Sequence, residues 1–298
     1  MEIVSRYRPT ADSLDRIRRR FHDVGGEPDS IWKAVAALLA ERYGLDGTTV
    51  VTMWIPNLVV KIRSGTDSFY FKVVDGNLRE IHRYMEFVSG CGVETARVVQ
   101  TKTGSRAVSF CGRPAYLMQE LCGEALSCDS TADVVRAAEI LAHLHGRSAG
   151  LDVGEVRSIR DIVPELGQFK DLPICVVHGD FKLSHLLKSG ATVKLLDCDG
   201  VCRMPRIFDV FFFCAAPDQI VTRNLSFTQQ KAFFDTYARA AEMQDDERDL
   251  EDTLMLLANQ YRLNTITEWK RRDLDVSTEL ENIAQTSLEQ ARRCVGRT

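Results

Sequence analysis

No apolar run in this chain approaches the roughly 20 residues that a helix needs to cross a bilayer, so membrane insertion is not expected. The opening stretch, MEIVSRYRPTADSLDRIRRR, has arginines where a secretory signal would have an apolar core, which points to a cytoplasmic protein. None of the nine cysteines, at 91, 111, 122, 128, 175, 198, 202, 214 and 294, forms a CxxC pair. An odd, scattered set of this kind excludes a disulfide framework and the spacing of a zinc finger. Cys198 and Cys202 flank an Asp-rich stretch, yet a structural zinc needs four ligands in a recognisable pattern, so all nine are read as reduced thiols. A formal charge of -4 leaves no general basic face for nucleic acid, and the short cluster of Arg16, Arg18, Arg19 and Arg20 does not change that. Hydrophobic residues at 45% and charged residues at 27% are ordinary for a globular chain, and 298 residues suffice for two lobes with a core each.

What the sequence does contain is a stretch from Val176 to Val201, VVHGDFKLSHLLKSGATVKLLDCDGV, in which two short apolar runs each deliver an Asp at their end. Val176-Val177 and Val193 to Leu196 read as buried strands, and Ser189-Gly190 marks a turn between them. A strand-loop-strand unit is expected. Its loop carries His178, Asp180, Lys182 and His185, and the second strand ends on Asp197 with Asp199 two residues on. Such crowding of charge costs stability unless a cation sits among the groups. Asp180 is placed to accept a proton from a hydroxyl, Asp197 and Asp199 to hold Mg2+, and Lys182 to neutralise a phosphate.

HGDFKLSH, followed a strand later by LLDCD, resembles the catalytic loop and metal-binding Asp of the aminoglycoside phosphotransferase and choline kinase family, small-molecule kinases with a protein-kinase-like fold. The family usually writes H-G-D-x-x-x-x-N and then I-D-x-[DE]. The resemblance implies that Asp180 is the catalytic Asp, that Asp197 is the principal Mg2+ ligand and that His178 braces the loop. Lys182 stands where protein kinases place a Lys that touches the transferred phosphate. His185 is the departure, standing where an Asn that holds a second metal is expected. Imidazole suits Mg2+ poorly, so His185 is a weak ligand at most and Asp199 is expected to lend the missing carboxylate. A ligand His185 with an ordinary imidazole pKa would make activity fall below roughly pH 6.5.

Earlier in the chain, residues from about Asp12 to Val24 and Ser30 to Tyr43 have helical periodicity, the second with Ile31, Val35, Leu38 and Leu39 on one face and Asp29-Ser30 as a possible cap. They form an expected N-terminal helical extension, 1–45, in a supporting or regulatory role. From Thr48 the period changes to strands, TTVVTMWI, NLVVKIRS and SFYFKVV, an antiparallel meander with a turn at Ser64-Gly65-Thr66-Asp67. Lys72 lies in the third strand, and a helix carrying Glu80 and Glu86 follows. Taken alone, Lys72 would be a solvent-facing strand residue. Ahead of an HGD loop, the same order is what a kinase amino lobe requires, with Lys72 on the nucleotide phosphates and Glu80, preferred to Glu86, fixing the Lys. The phosphate-covering loop would be MWIPN, which has no glycine and so brings backbone donors less close to phosphate. Its Asn57 matches an Asn common in relatives.

Further strands are expected around Arg97 to Gln100, Ala107 to Phe110 and Tyr116 to Glu120. YLMQELCGEAL resembles the family's hinge, where adenine takes backbone bonds near Glu120 and Cys122; a backbone contact does not separate ATP from GTP. Ser130-Thr131-Ala132-Asp133 reads as a capping box opening a helix that runs through LAHLHG, so His143 and His145 are read as structural. Asp209 precedes an apolar run and matches an Asp that relatives use to hold the catalytic loop's backbone; the alternative is a helix cap. The remainder is helical, with an acidic stretch from Glu242 to Asp252. If that stretch borders the cleft the acceptor is cationic; otherwise it is solvated surface.

The expected architecture is α+β and bilobal: an amino lobe over 46–122 with a small antiparallel sheet, a larger helical lobe over 123–298, and the active site in the cleft. The expected function is transfer of the ATP γ-phosphate to a hydroxyl of a small molecule with Mg2+ as cofactor and no nucleic-acid or membrane partner. Two rivals follow from the departures. His185 and the glycine-free loop suggest a nucleotide-binding pseudokinase that acts through a protein partner, whereas Lys72, Asp180 and Asp197 argue for turnover. Lys182 suggests a protein kinase, against which DCDG lacks DFG and no APE follows. Neither the acceptor's identity nor the oligomeric state is encoded in these motifs.

Overall fold

A computed structural model describes residues 18–54, 58–153, 157–159, 163–164, 172–215, 225–271 and 278–296. Helix α1 (Pro28–Tyr43) begins one residue after its N-cap Glu27, because Pro28 at the first helical position has its φ preset and needs no hydrogen-bond partner for a missing N–H. The start is therefore earlier than the Asp29-Ser30 cap expected from sequence. Gly44, in the left-handed region at φ 74, closes it. Strands β1 (Thr49–Trp54), β2 (Val59–Ser64) and β3 (Asp67–Val73) follow as the meander, with Ser64 opposite Asp67 across the turn. Next come α2 (Leu78–Gly90), a short β4 (Glu94–Thr95), β5 (Val108–Phe110) and β6 (Arg113–Gln119). The segment Arg97 to Gln100 forms only an isolated bridge, Val98 to Met118.

Beyond the hinge lie β7 (Glu124–Ala125), α3 (Thr131–Arg147), β8 (Ile174–Val177), β9 (Leu186–Ser189), β10 (Thr192–Leu195) and β11 (Cys202–Pro205). Helices α4 (Ile207–Ala215), α5 (Phe227–Ala240), α6 (Asp245–Arg248), α7 (Glu251–Arg271) and α8 (Thr278–Val295) complete the described chain. No helix among the described residues is long and apolar enough to cross a membrane.

The chain divides into two compact units, Met1–Arg79 with Ala96–Leu121, and Glu80–Thr95 with Cys122–Thr298. In the first, one sheet runs in the order β1-β2-β3-β6-β5. Alternation along β2 and β3 buries Val60, Ile62, Phe69, Phe71 and Val73 on one core, and Ile31, Val35 and Leu39 of α1 enter the same core. Each such side chain contributes roughly 1.5–3 kcal/mol when removed from water. Helix α1 is thus part of the sheet's own core and not an appendage, because the apolar face read from its sequence is the face it buries.

In the second unit, β4, β10, β9 and β7 form a sheet in that order, and β8 pairs with β11. Both apolar runs of the expected strand-loop-strand unit are strands, but each pairs elsewhere. The run at Val176-Val177 does not pair with Val193 to Leu195; it pairs antiparallel with Cys202 and Arg203, while β10 forms a hairpin with β9 across Ser189-Gly190. Helix α2 groups here, and not with the expected amino lobe, because the Tyr84 ring meets the His178 ring edge-on at 6.2 Å and Arg83 bonds Asp152.

Candidate active site

The HGD loop runs from His178, just past β8, to His185, just before β9. It is held by a buried carboxylate. Asp209, in the first turn of α4, accepts the His178 N–H at 2.7 Å and the Gly179 N–H at 2.9 Å, which makes it the loop brace and not merely a helix cap. His145 of α3 donates from Nε2 to the same carboxylate at 3.1 Å, and its Nδ1 lies 2.7 Å from the Tyr237 hydroxyl. Burial alone would raise Asp209, yet the hydrogen bond and charge of His145 hold it below the ordinary carboxylate range. Burial would likewise lower His145; Tyr237, Cys175 and the Asp209 carboxylate reverse this and hold it well above its ordinary value. His145 is therefore structural, as its helix position suggests, but what it structures is the HGD loop. A histidine on the buried face of α3 was the signal; its partner 64 residues away was not legible.

Two glycines set the path of the loop. Gly179 has φ 82, and a Cβ there would overlap the Gly200 carbonyl; a Cβ on Gly200 would lie 2.9 Å from the His178 carbonyl oxygen. The two backbones touch, which brings the loop against the turn that follows Asp197. His178 braces the loop through its ring. Nε2 donates to the Leu196 carbonyl at 2.9 Å and Nδ1 accepts the Asp180 N–H at 3.3 Å, so both ring nitrogens are occupied.

Asp180, Lys182, His185 and Asp197 are brought together. The Asp180 side chain is 30% exposed, and Lys182 Nζ donates to its two oxygens at 2.9 and 3.2 Å. Burial raises the Asp180 pKa, while Lys182 opposes the shift. His185 Nδ1 lies 2.9 Å from the Asp180 carbonyl oxygen, and Nε2 lies 3.5 Å from Asp197 Oδ2. The His185 imidazole is pushed down to about 3, chiefly by burial, well below the ordinary value on which an acid limb near pH 6.5 would rest. Asp197 stands in the left-handed region at φ 58, an unusual conformation for a residue with a Cβ, and turns its carboxylate toward His185.

Ligand atoms of Asp180, His185 and Asp197 all lie within 4.8 Å of one another, a donor set that fits a divalent cation. Asp199 is not in this group. The backbone turns through a 3-10 helix, Cys198–Gly200, immediately after Asp197, and alternation by two residues does not return a side chain to the same place in a helical turn, so the expected second carboxylate is missing from the cluster.

The residues expected to face the nucleotide are divided between the two units. Lys72 sits on β3 opposite Val59 and Tyr116 and is only 7% exposed, which overturns the solvent-facing alternative. Glu120 spends its backbone N–H on the Ser68 carbonyl and its carboxylate on Lys61 Nζ at 2.6 Å. In the second unit, Glu80 is half-buried in the first turn of α2 while Glu86 is exposed, and Cys122 is an exposed thiol. Asn57 lies outside the described residues.

The acidic stretch is divided between internal ion pairs and exposed carboxylates. Glu247 is 1% exposed and accepts from Arg206, Nε at 2.8 Å and also Nη2, while Glu251 pairs with Lys231; Asp245, Asp246 and Asp249 are exposed.

A braced HGD loop, an Asp after a short hairpin and a supporting α+β fold are the arrangement that the resemblance to small-molecule kinases implies. The resemblance read from HGDFKLSH and LLDCD is borne out: residues 150–252 match the phosphotransferase enzyme family, APH. That match spans about a third of the chain and includes the whole catalytic loop, Asp197 and Asp209. Among curated proteins no sequence match is found. Solved structures with the same fold include an amicoumacin kinase in complex with AMP-PNP and Ca2+, at 10% identity and TM-score 0.63, covering 91% of this chain and 96% of that one. A microcompartment-associated aminopropanol kinase gives 15% and 0.60 with 89% and 98% covered. A spectinomycin phosphotransferase in complex with ADP and spectinomycin gives 13% and 0.55 with 88% and 93% covered.

Proposed function

We propose that this chain transfers the γ-phosphate of ATP to a hydroxyl of a small molecule, with Asp180 as the group that orients the hydroxyl and takes its proton on a carboxylate oxygen. The single observation that carries the reading is the Asp180 carboxylate itself: partly open, raised by burial, gripped by Lys182 and within one ligand cluster with Asp197. A carboxylate whose pKa is raised is a better proton acceptor than an ordinary surface Asp. Lys182 holds its position through two hydrogen bonds and is placed to carry positive charge to an incoming phosphoryl oxygen. His178 and Asp209 keep the loop backbone fixed, so Asp180 need not reorganise as the proton moves.

Lys72 and Glu80 are assigned to the nucleotide by their order in the chain, and the carbonyl of Glu120 and backbone of Cys122 to the base. Asp197 and His185 would hold a divalent ion, which when bound would neutralise charge on the phosphates. The names of the similar structures, an aminopropanol kinase, an amicoumacin kinase and a spectinomycin phosphotransferase, support a small-molecule acceptor, and the first of them supports an amino alcohol. The test is ADP formation by the purified protein with ATP and Mg2+ or Mn2+, against a panel of amino alcohols, aminoglycosides, nucleosides and sugars, with the phosphorylated product identified by its mass. Acceptor-dependent ADP with a phosphorylated product supports the reading; nucleotide binding without turnover on any acceptor would favour a binding-only protein.

A further inference from the structure

The most informative group in the loop is His185, because its two nitrogens have been given different work. Nδ1 lies 2.9 Å from the Asp180 backbone carbonyl. A carbonyl can only accept, so Nδ1 carries the ring proton. Nε2 is then the nitrogen whose lone pair is not committed to a fixed donor role, and it lies 3.5 Å from Asp197 Oδ2. That separation is long for a hydrogen bond and natural for two atoms sharing an ion: at bond lengths of about 2.0–2.2 Å, ligands at tetrahedral to octahedral angles stand roughly 3.0–3.6 Å apart. The neighbouring His178 has no such nitrogen, since one is tied to Leu196 and the other to the Asp180 N–H. Asp180 is a poor competitor for the ion, since Lys182 already sits on both its oxygens.

We propose that His185 Nε2 is a direct ligand of the divalent cation beside Asp197, so that the site has a mixed nitrogen and oxygen donor set and selects Mn2+ or another first-row transition ion over Mg2+. The proton on Nδ1 and its bond to the Asp180 carbonyl serve the same end: they fix the ring's orientation and tautomer, as a carbonyl behind a metal-bound histidine does. Imidazole raises affinity along the first-row series, whereas Mg2+, a hard ion, gains little from nitrogen. The one residue that departs from the family's Asn thereby becomes the determinant of which metal the site takes. This inference rests on the same site as the phosphotransferase reading but not on phosphoryl transfer.

The test is pulsed electron paramagnetic resonance of Mn2+ bound to the full chain, alone and with ADP, using protein made with natural-abundance or 15N-labelled histidine. The expected result is a directly coordinated nitrogen coupling in the parent that changes from the 14N to the 15N pattern on labelling and is absent in His185→Asn. The ratio of Mg2+ to Mn2+ dissociation constants should fall about tenfold in His185→Asn, whose side chain offers oxygen. Mn2+ bound without a histidine nitrogen coupling, or no Mn2+ binding with or without ADP, would overturn the inference, as would an unchanged ratio in the variant. If His185→Asn does not fold, the labelled parent decides alone. The phosphotransferase reading stands or falls on ADP and phosphorylated product, so either result can fail without the other.

Discussion

Asp209 and His178 are linked at 2.7 Å by a hydrogen bond from backbone N–H to carboxylate, buried at both ends. Through it a helix that begins at Ile207 dictates the start of a loop 31 residues earlier. The same Oδ2 also takes the His145 donor and Oδ1 takes Gly179. Asp209→Asn has only one oxygen for these three donors, so it leaves at least one of them facing an amide NH2. We expect a loss of roughly 2–4 kcal/mol in urea denaturation. Amide hydrogen exchange should accelerate at His178 and Gly179 before global unfolding, and unchanged protection at both would remove Asp209 from its role as brace.

Gly179→Ala should be far more damaging than Gly65→Ala, although both glycines have positive φ. At Gly65 nothing lies within 4 Å of the added carbon, so the cost is the left-handed backbone alone, about 1–2 kcal/mol. At Gly179 the methyl group would strike the Gly200 carbonyl as well, and the loop or the turn after Asp197 must shift. The comparison of unfolding midpoints for the two variants checks this. Equal losses would mean that the loop and turn do not touch in solution.

How far the sequence carried the reading depends on the range of each interaction. The meander at 49–73 was legible because alternation is local, and so were the HGD loop and Asp197, because only a short hairpin separates them and returns the chain to the loop. The pairing of Val176-Val177 was not, since both β10 and β11 offered an apolar neighbour and only tertiary context chose β11. His145 was legible as a buried helix residue but not as a partner of Asp209. Asp199, expected to lend a carboxylate because it stands two residues after Asp197, is outside the cluster for a different reason: the backbone turns left-handed at Asp197 and then helical.

The acidic stretch near 245 should separate into two behaviours. Glu247→Gln removes one member of a buried pair with Arg206 and is expected to cost about 3–5 kcal/mol of stability. Asp245→Asn and Asp249→Asn, on exposed positions, should change stability by less than about 0.5 kcal/mol. Thermal melts of the three variants provide the check. A large loss at Asp245 would show that it has a partner of its own.

Asp180→Asn should lower turnover roughly 10²- to 10⁴-fold with nucleotide affinity nearly intact, because it removes the proton acceptor and not the residues assigned to the nucleotide. Lys182→Met makes a sharper point. Lys182 holds the Asp180 pKa down against burial, so its removal raises that pKa further. The reacting form is the ionised carboxylate, and the acid limb of the pH profile should therefore move to higher pH in the variant, alongside a fall in turnover of roughly 10²-fold. A variant with slower turnover and an unmoved acid limb would mean that Asp180 is not the group whose ionisation limits the rate.

His185 offers the pH test with a defined window. Its pKa falls from 6.5 to about 3 in the folded chain, chiefly because burial disfavours the imidazolium. Between these values the unfolded chain binds a proton at this position that the folded chain does not. Stability must therefore decline as pH is lowered from about 6.5 towards 3, by about 1.4 kcal/mol per pH unit from this group, and its contribution levels off below the folded value. His185→Asn cannot bind that proton in either state, so its stability curve should be flatter across the same window, with a difference in slope corresponding to about one proton. The folded parent keeps a neutral ring throughout most of this range, and any loss of activity between pH 6.5 and 4.5 should be shared by the Asn variant. The measurement is denaturant unfolding of both proteins at closely spaced pH values in the absence of divalent metal, which would otherwise compete for the ring. Parallel curves would mean that the imidazole is not held neutral by the loop, and the fixed assignment of its proton to Nδ1 would go with it.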